Sequence, residues 1–206
     1  MSFNSFEKTI EHISLRWQQS NKTLLRQLFP LLAQGRPVPP AQLAQLTGND
    51  VSMVERALIE GHTDRDKQGY VIELFGITQT PTYHRIQIGQ VCLFSCCALV
   101  SQMVPLLLSQ TATIESVDPI GHRLVRLTIS PTGIESVEPN NAVGTLVLTN
   151  AEQVQKDVRS AFCMHVHHFP DTDSAQEFVN MDPRRYVVDI QHLHEAARQL
   201  TTAIWN

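Results

Sequence analysis

Apolar and polar positions follow a helical period in the first part of this chain and a strand-like alternation in much of the rest, with the change near residue 80. Residues 6–17 and 23–33 repeat their apolar positions at helical spacing, the second run with a kink or break expected at Pro30. GRPVPP (35–40) holds three prolines and reads as a loop. A short helix over 41–46, a turn at TGND and a helix over 51–60 follow. Ser52 and Glu55 have the spacing of a capping box at the start of that last helix. The polar turn DRDKQG then leads into YVIELFGI, which alternates like a strand. Helix, helix, turn, helix and hairpin is the order of a winged helix.

Beyond residue 80, TYHRIQI alternates, IGQ offers a turn before VCLF, and an apolar helix spans 97–108. TATIESV, RLVRLTIS, IESVEP and GTLVLT are short β-rich runs separated by DPIGH, PTG and PNN, which are turn chemistry. AEQVQKDVRSAF (151–162) reads as one helix, HVHHF as an extended segment, SAQEFVNM as a short helix, YVVDI as a strand and 191–205 as a closing helix. The expected class is α+β. A helical, winged-helix-like unit over 1–80 precedes a mostly antiparallel β core with packed helices over 81–206.

Composition adds exclusions. A chain of 206 residues, 42% hydrophobic and 17% charged, is ordinary for a soluble globular protein. The apolar stretch 91–108 is interrupted by Ser95, Ser101, Gln102 and Pro105, so a buried helix with its approach strand is expected, not a membrane span. MSFNSFEKTIEH lacks a basic start followed by an apolar run, so no secretory signal is expected, and the expected compartment is the cytoplasm. Residues 1–80 carry 8 Lys and Arg against 8 Asp and Glu. A DNA reader needs a positive footprint to neutralise phosphates, so no nucleic-acid partner is expected and the helical unit reads as a packing or lid module.

The candidate chemistry lies in the thiols. Cys92, Cys96 and Cys97 fall within six residues and Cys163 lies far downstream. In a reducing compartment this spacing leaves three readings open: buried small hydrophobes, soft-metal ligands or a nucleophile. The N-terminus of the 97–108 helix favours a thiolate at Cys97, and Val100 and Ser101 share its helical face. Cys96 is expected to point away by about 100° and to pack. In an extended segment Cys163, His165 and His167 would share one face and His168 the other, either as metal ligands or as histidines exposed or bonded to backbone.

FSCCALVSQMVPLLL resembles the segment of organomercurial lyases in which a cysteine opens a C-A-L-D helix that runs on to a proline. AFCMHVHHF resembles their F-C-x-H-V-H-F-F segment. VRLTISPTGIESVEP is similar to their strand-turn-strand, HEAA to their closing helix, and residues 23–80 to their helical domain. The resemblance therefore runs in order from about residue 23 to the C-terminus. It implies that Cys97 takes up the mercury of R–Hg⁺ and Cys163 completes the pair. A carboxylic acid then protonates the leaving carbon, giving R–H and bound Hg²⁺, with no organic cofactor required. Cellular thiols or a mercuric reductase are the implied acceptors of the metal. The family's carboxylate sits three residues after the first cysteine, where this chain has Val100. Ser101 and Asp118 are the substitutes weighed for it, and Cys96 stands where an aromatic residue is usual. The alternative is thiol-based binding of mercury or another soft metal without cleavage.

Overall fold

A computed structural model describes residues 3–18, 22–61 and 63–205. Four helices come first, α1 (Phe3–Gln18), α2 (Lys22–Leu32), α3 (Pro40–Thr47) and α4 (Val51–Glu60). Pro30 lies inside α2 without ending it, and Leu28, Phe29 and Leu32 on that helix are buried. α3 opens on Pro40 and closes on Gly48, whose φ of 67° is the left-handed conformation that glycine tolerates without a Cβ penalty. The capping box expected from Ser52 and Glu55 is not formed. The helix starts at Val51 as expected, but Asp50 is its N-cap, so Ser52 falls inside the first turn, while Glu55 pairs with Arg65 at 2.6 Å.

The strands β1 (Asp64–Arg65), β2 (Val71–Leu74), β3 (Ile77–Thr78), β4 (His84–Ile88), β5 (Val91–Ser95), β6 (Ala112–Val117), β7 (Leu124–Ser130) and β8 (Gly133–Glu138) form one sheet. Its order is β1-β2-β3-β5-β4-β6-β7-β8, and every pairing is antiparallel. Ile77 and Thr78 pair with Ser95 and Phe94, so the sheet runs unbroken across residue 80. Alternation sets its buried face, as in β6, where Ala112, Ile114 and Ser116 point inward. A second antiparallel sheet joins β9 (Val143–Val147), β10 (His168–Phe169) and β11 (Arg185–Asp189) in the order β10-β9-β11.

α5 (Ala98–Leu108) is buried from Ala98 to Pro105 and again at Leu107, because it lies between the large sheet and α9 (Ile190–Trp205), which packs against α1 in turn. An apolar run without a polar face is what such a position requires. α9 shows the complementary case, burying Leu193, Ala196, Ala197 and Leu200 at i, i+3, i+4 and i+7. The helix expected over 151–162 is two helices, α6 (Ala151–Lys156) and α7 (Val158–Ala161), with α8 (Thr172–Val179) packing later on the small sheet. Asp157 breaks the first pair in an extended conformation and accepts the Arg159 and Ser160 N–H groups as the N-cap of α7. The fold is thus α+β, a helical front followed by an antiparallel sheet with helices against it. Among the described residues no helix is long and apolar enough to cross a membrane.

Candidate active site

The thiol site begins at the junction of β5 and α5. Cys97 is the N-cap of α5, with extended φ and ψ of −156° and 164°. Its carbonyl accepts from Ser101 N–H at 3.1 Å and Ser95 Oγ at 3.0 Å, and the next amide, Ala98 N–H, donates to Val166 O at 2.9 Å. Cys96 N–H donates to Gly76 O at 2.7 Å. Both cysteines are therefore outside the helix, and a helical rotation does not separate their side chains. The chain bends at Cys96 and Cys97, and the position of the Cys96 sulfur beside the other two corrects the expectation that it points away. Cys163 arrives from the far side, on a single 3-10 turn over Cys163–His165 that follows α7. Together, the sulfurs of Cys96, Cys97 and Cys163 lie within 4.8 Å of one another.

Cys97 is fully buried and Cys163 is 6% exposed. Cys163 and Cys96 line a cavity of about 270 Å³, with Cys97 behind them. Trp17 and Phe75 give the cavity an aromatic wall, their ring centroids 5.1 Å apart, and Glu73, Arg159 and Gly76 complete the side nearest Cys96. Arg16 on α1 donates to Gln155 O and so ties the helical front to α6 at the rim. Gly76 has a φ of 78°, and a Cβ there would overlap Cys96 Sγ.

Electrostatics sort the three thiols. Burial opposes charge on Cys97, but the Cys163 and Cys96 thiols, the Val100 amide and the nearby His167 together hold it well below the ordinary thiol value. Cys96 is pushed well up by the Cys163 and Cys97 sulfurs and by burial. Contact with Cys96 favours the Cys163 thiolate, yet Cys97 and burial prevail and push it well up too. These surroundings favour the thiolate at Cys97 and the thiol at Cys96 and Cys163. Burial raises Glu73 above the usual carboxylate range, against the pull of the Arg159 guanidinium that donates to it.

The other residues singled out in the sequence are occupied elsewhere. Val100 is buried on α5, and Ser101 Oγ donates to Ala98 O at 2.6 Å. Asp118, fully buried, accepts the Ile120, Gly121 and Arg123 N–H groups within its own turn. The 3-10 turn removes the strand alternation expected of Cys163, His165 and His167. His165 Nδ1 accepts from Arg185 Nε at 2.9 Å and its Nε2 donates to Ser160 O at 3.1 Å, while His167 Nε2 donates to Met164 O. His168 is held between Ser116 Oγ and Gln102 Nε2. His165 and His168 thus have protein partners on both ring nitrogens, whereas His167 Nδ1 is buried without one and its ring lies near Cys97. Glu73 was missed because it read only as a polar residue of YVIELFGI. The available signal was its place on the same strand face as Val71, which is buried.

The alkylmercury lyase family model matches residues 77–202, and the model for the helix-turn-helix domain of alkylmercury lyase matches residues 16–75. The chain belongs to the alkylmercury lyase family. An alkylmercury lyase of Staphylococcus epidermidis is 35% identical over 92% of this chain and 84% of its own length. One from Streptomyces lividans is 34% identical over 90% and 85%. A crystal structure of the mercury-bound form of MerB2 superposes with a TM-score of 0.81 over 96% of this chain and 99% of that one, at 16% identity, which speaks to the fold. This member of the family has valine at position 100 and a cluster of three thiols, two of which line its cavity.

Proposed function

We propose that this protein cleaves the carbon–mercury bond of organomercurials, R–Hg⁺, to R–H and Hg²⁺, with Cys97 and Cys163 as the thiol pair. The observation that carries the reading is the three-sulfur cluster at the cavity floor. A metal–thiolate bond of about 2.3 Å, as at zinc, puts two sulfurs on opposite sides of one ion at about 4.6 Å. That spacing matches a cluster within 4.8 Å. Mercury is soft and thiolate is the matching soft donor.

In this reading the substrate enters against Trp17 and Phe75, which take the hydrocarbon group, and meets Cys163 and Cys96 at the wall. Cys97, the thiolate behind them, takes the metal, and Cys163 completes the pair as its proton leaves for carbon. Cys96 is within reach as a third sulfur. Cellular thiols or a mercuric reductase would then accept Hg²⁺ by thiol exchange.

Val100 supports a second reading, a protein that binds mercury through its thiols and does not cleave. Incubation with phenylmercury and excess thiol separates the two. Release of benzene that disappears in Cys97→Ala and in Cys163→Ala supports the lyase. Tight mercury binding with no benzene after overnight incubation rules it out.

A further inference from the structure

A lyase of this kind needs an acid beside the leaving carbon, and position 100 offers only a buried valine. The carboxylates nearest the site differ sharply in availability. Asp118 is saturated by three N–H groups of its own turn. Asp157 is engaged by the Arg159 and Ser160 N–H groups and the Ser160 hydroxyl. The Asp64 side chain is 58% exposed. Glu73 is 8% exposed and stands on the wall of the cavity that Cys96 and Cys163 share. Its strand is fixed opposite β3, Glu73 against Thr78, and β3 in turn against β5, which ends beside Cys96. Arg159, on α7 four residues before Cys163, donates to its carboxylate from the other side.

We propose that Glu73 is the proton-transfer group of this enzyme, a catalytic carboxylate supplied by the helical front in place of the absent acid at position 100. The inference rests on the lyase reading. Cys97 thiolate first bonds the mercury of R–Hg⁺. Cys163 then bonds the same mercury as its S–H proton passes to the Glu73 carboxylate. The electron pair of the carbon–mercury bond takes that proton from Glu73, R–H departs, and Glu73 returns to the carboxylate held by Arg159. No oxidant or further reactant enters, and mercury stays divalent throughout. Arg159 is a positioning residue, holding the carboxylate against the cavity between turnovers.

The test compares the full-length protein with Glu73→Gln and with the double variant Glu73→Gln, Val100→Asp. Each is given one equivalent of phenylmercury, and both bound mercury and released benzene are measured. The expected result is that Glu73→Gln still takes up one phenylmercury per chain and releases benzene about 10²–10⁴-fold more slowly, the usual worth of a general acid. The double variant is expected to recover most of that loss. Wild-type rates in Glu73→Gln overturn the inference and leave the lyase intact. Loss of uptake together with cleavage makes Glu73 a structural support and also overturns it. No benzene from the wild type overturns the lyase reading and this inference with it.

Discussion

At the scale of single residues, the unusual member of the site is Cys96. Its sulfur sits at the cavity wall beside Cys163, within the cluster that also holds Cys97, and S–H contacts link all three. A third sulfur is not needed to hold mercury between two others, but it offers one more bond to the product. We therefore expect Cys96→Ala to leave benzene release within a few-fold of wild type. The same variant should surrender Hg²⁺ to a competing dithiol at least about tenfold more readily, which corresponds to about 1.4 kcal/mol. Retention of mercury equal to wild type in that competition would remove Cys96 from the binding set. The valine at 100 is the complementary residue. It fills buried space, and its side chain borders Gly76 together with Cys96.

At the scale of elements, the site depends on how three segments meet. The β2–β3 turn, the end of β5 and the start of α5 converge where Gly76 O accepts from Cys96 N–H. A methyl group at position 76 would meet Cys96 Sγ, and the φ of 78° disfavours any L-residue. Gly76→Ala should lower stability by about 1–2 kcal/mol through the left-handed backbone alone. It should also reduce from three to two the thiols that bound mercury protects from alkylation, read by mass spectrometry. Three protected thiols in this variant would mean the turn yields without moving the sulfur. These junctions explain what the sequence could and could not disclose. The helices and the alternating strands were legible, because period and order along the chain carry them, whereas the naming of Cys97 and Cys163 as a pair came from the resemblance. The place of Cys96 was not legible. The chain bends at Cys96 and Cys97 before α5 begins, and that bend is held by tertiary hydrogen bonds from Cys96 N–H to Gly76 O and from Ala98 N–H to Val166 O, which no local period reveals. For the same reason the break at Asp157 and the 3-10 turn at Cys163 undid the expected alternation of the histidines.

At the scale of the molecule, a buried polar chain ties the large sheet to α5, the small sheet and α9. Gln102 Nε2 donates to His168 Nε2, so His168 Nδ1 carries the proton given to Ser116 Oγ, and Ser116 in turn donates to His84 Nδ1. His194 Nδ1 donates to Gln102 Oε1. Burial pushes His168 down to about 3, and burial followed by His167 and His168 pushes His84 well below its ordinary value. Below about pH 6.5 the unfolded chain therefore binds protons at these positions that the native chain does not. Stability is full above that pH and falls as pH drops toward 3. His168 should cost about 1.4 kcal/mol by pH 5.5, and melting temperatures from pH 7.5 to 4.5 should decline less steeply in His168→Gln than in wild type. A parallel decline would place the acid sensitivity elsewhere. The resting charge of the thiols has a different consequence, felt in the surrounding water. With Cys97 as thiolate and Cys163 as thiol, the states their surroundings favour, inorganic Hg²⁺ bound by the pair expels a hydrogen ion into solution. An organomercurial that is cleaved carries the same hydrogen away inside the hydrocarbon. In weakly buffered solution, then, inorganic mercury acidifies the medium by one equivalent more than the organic substrate does, and that difference holds whether or not Cys96 joins the metal.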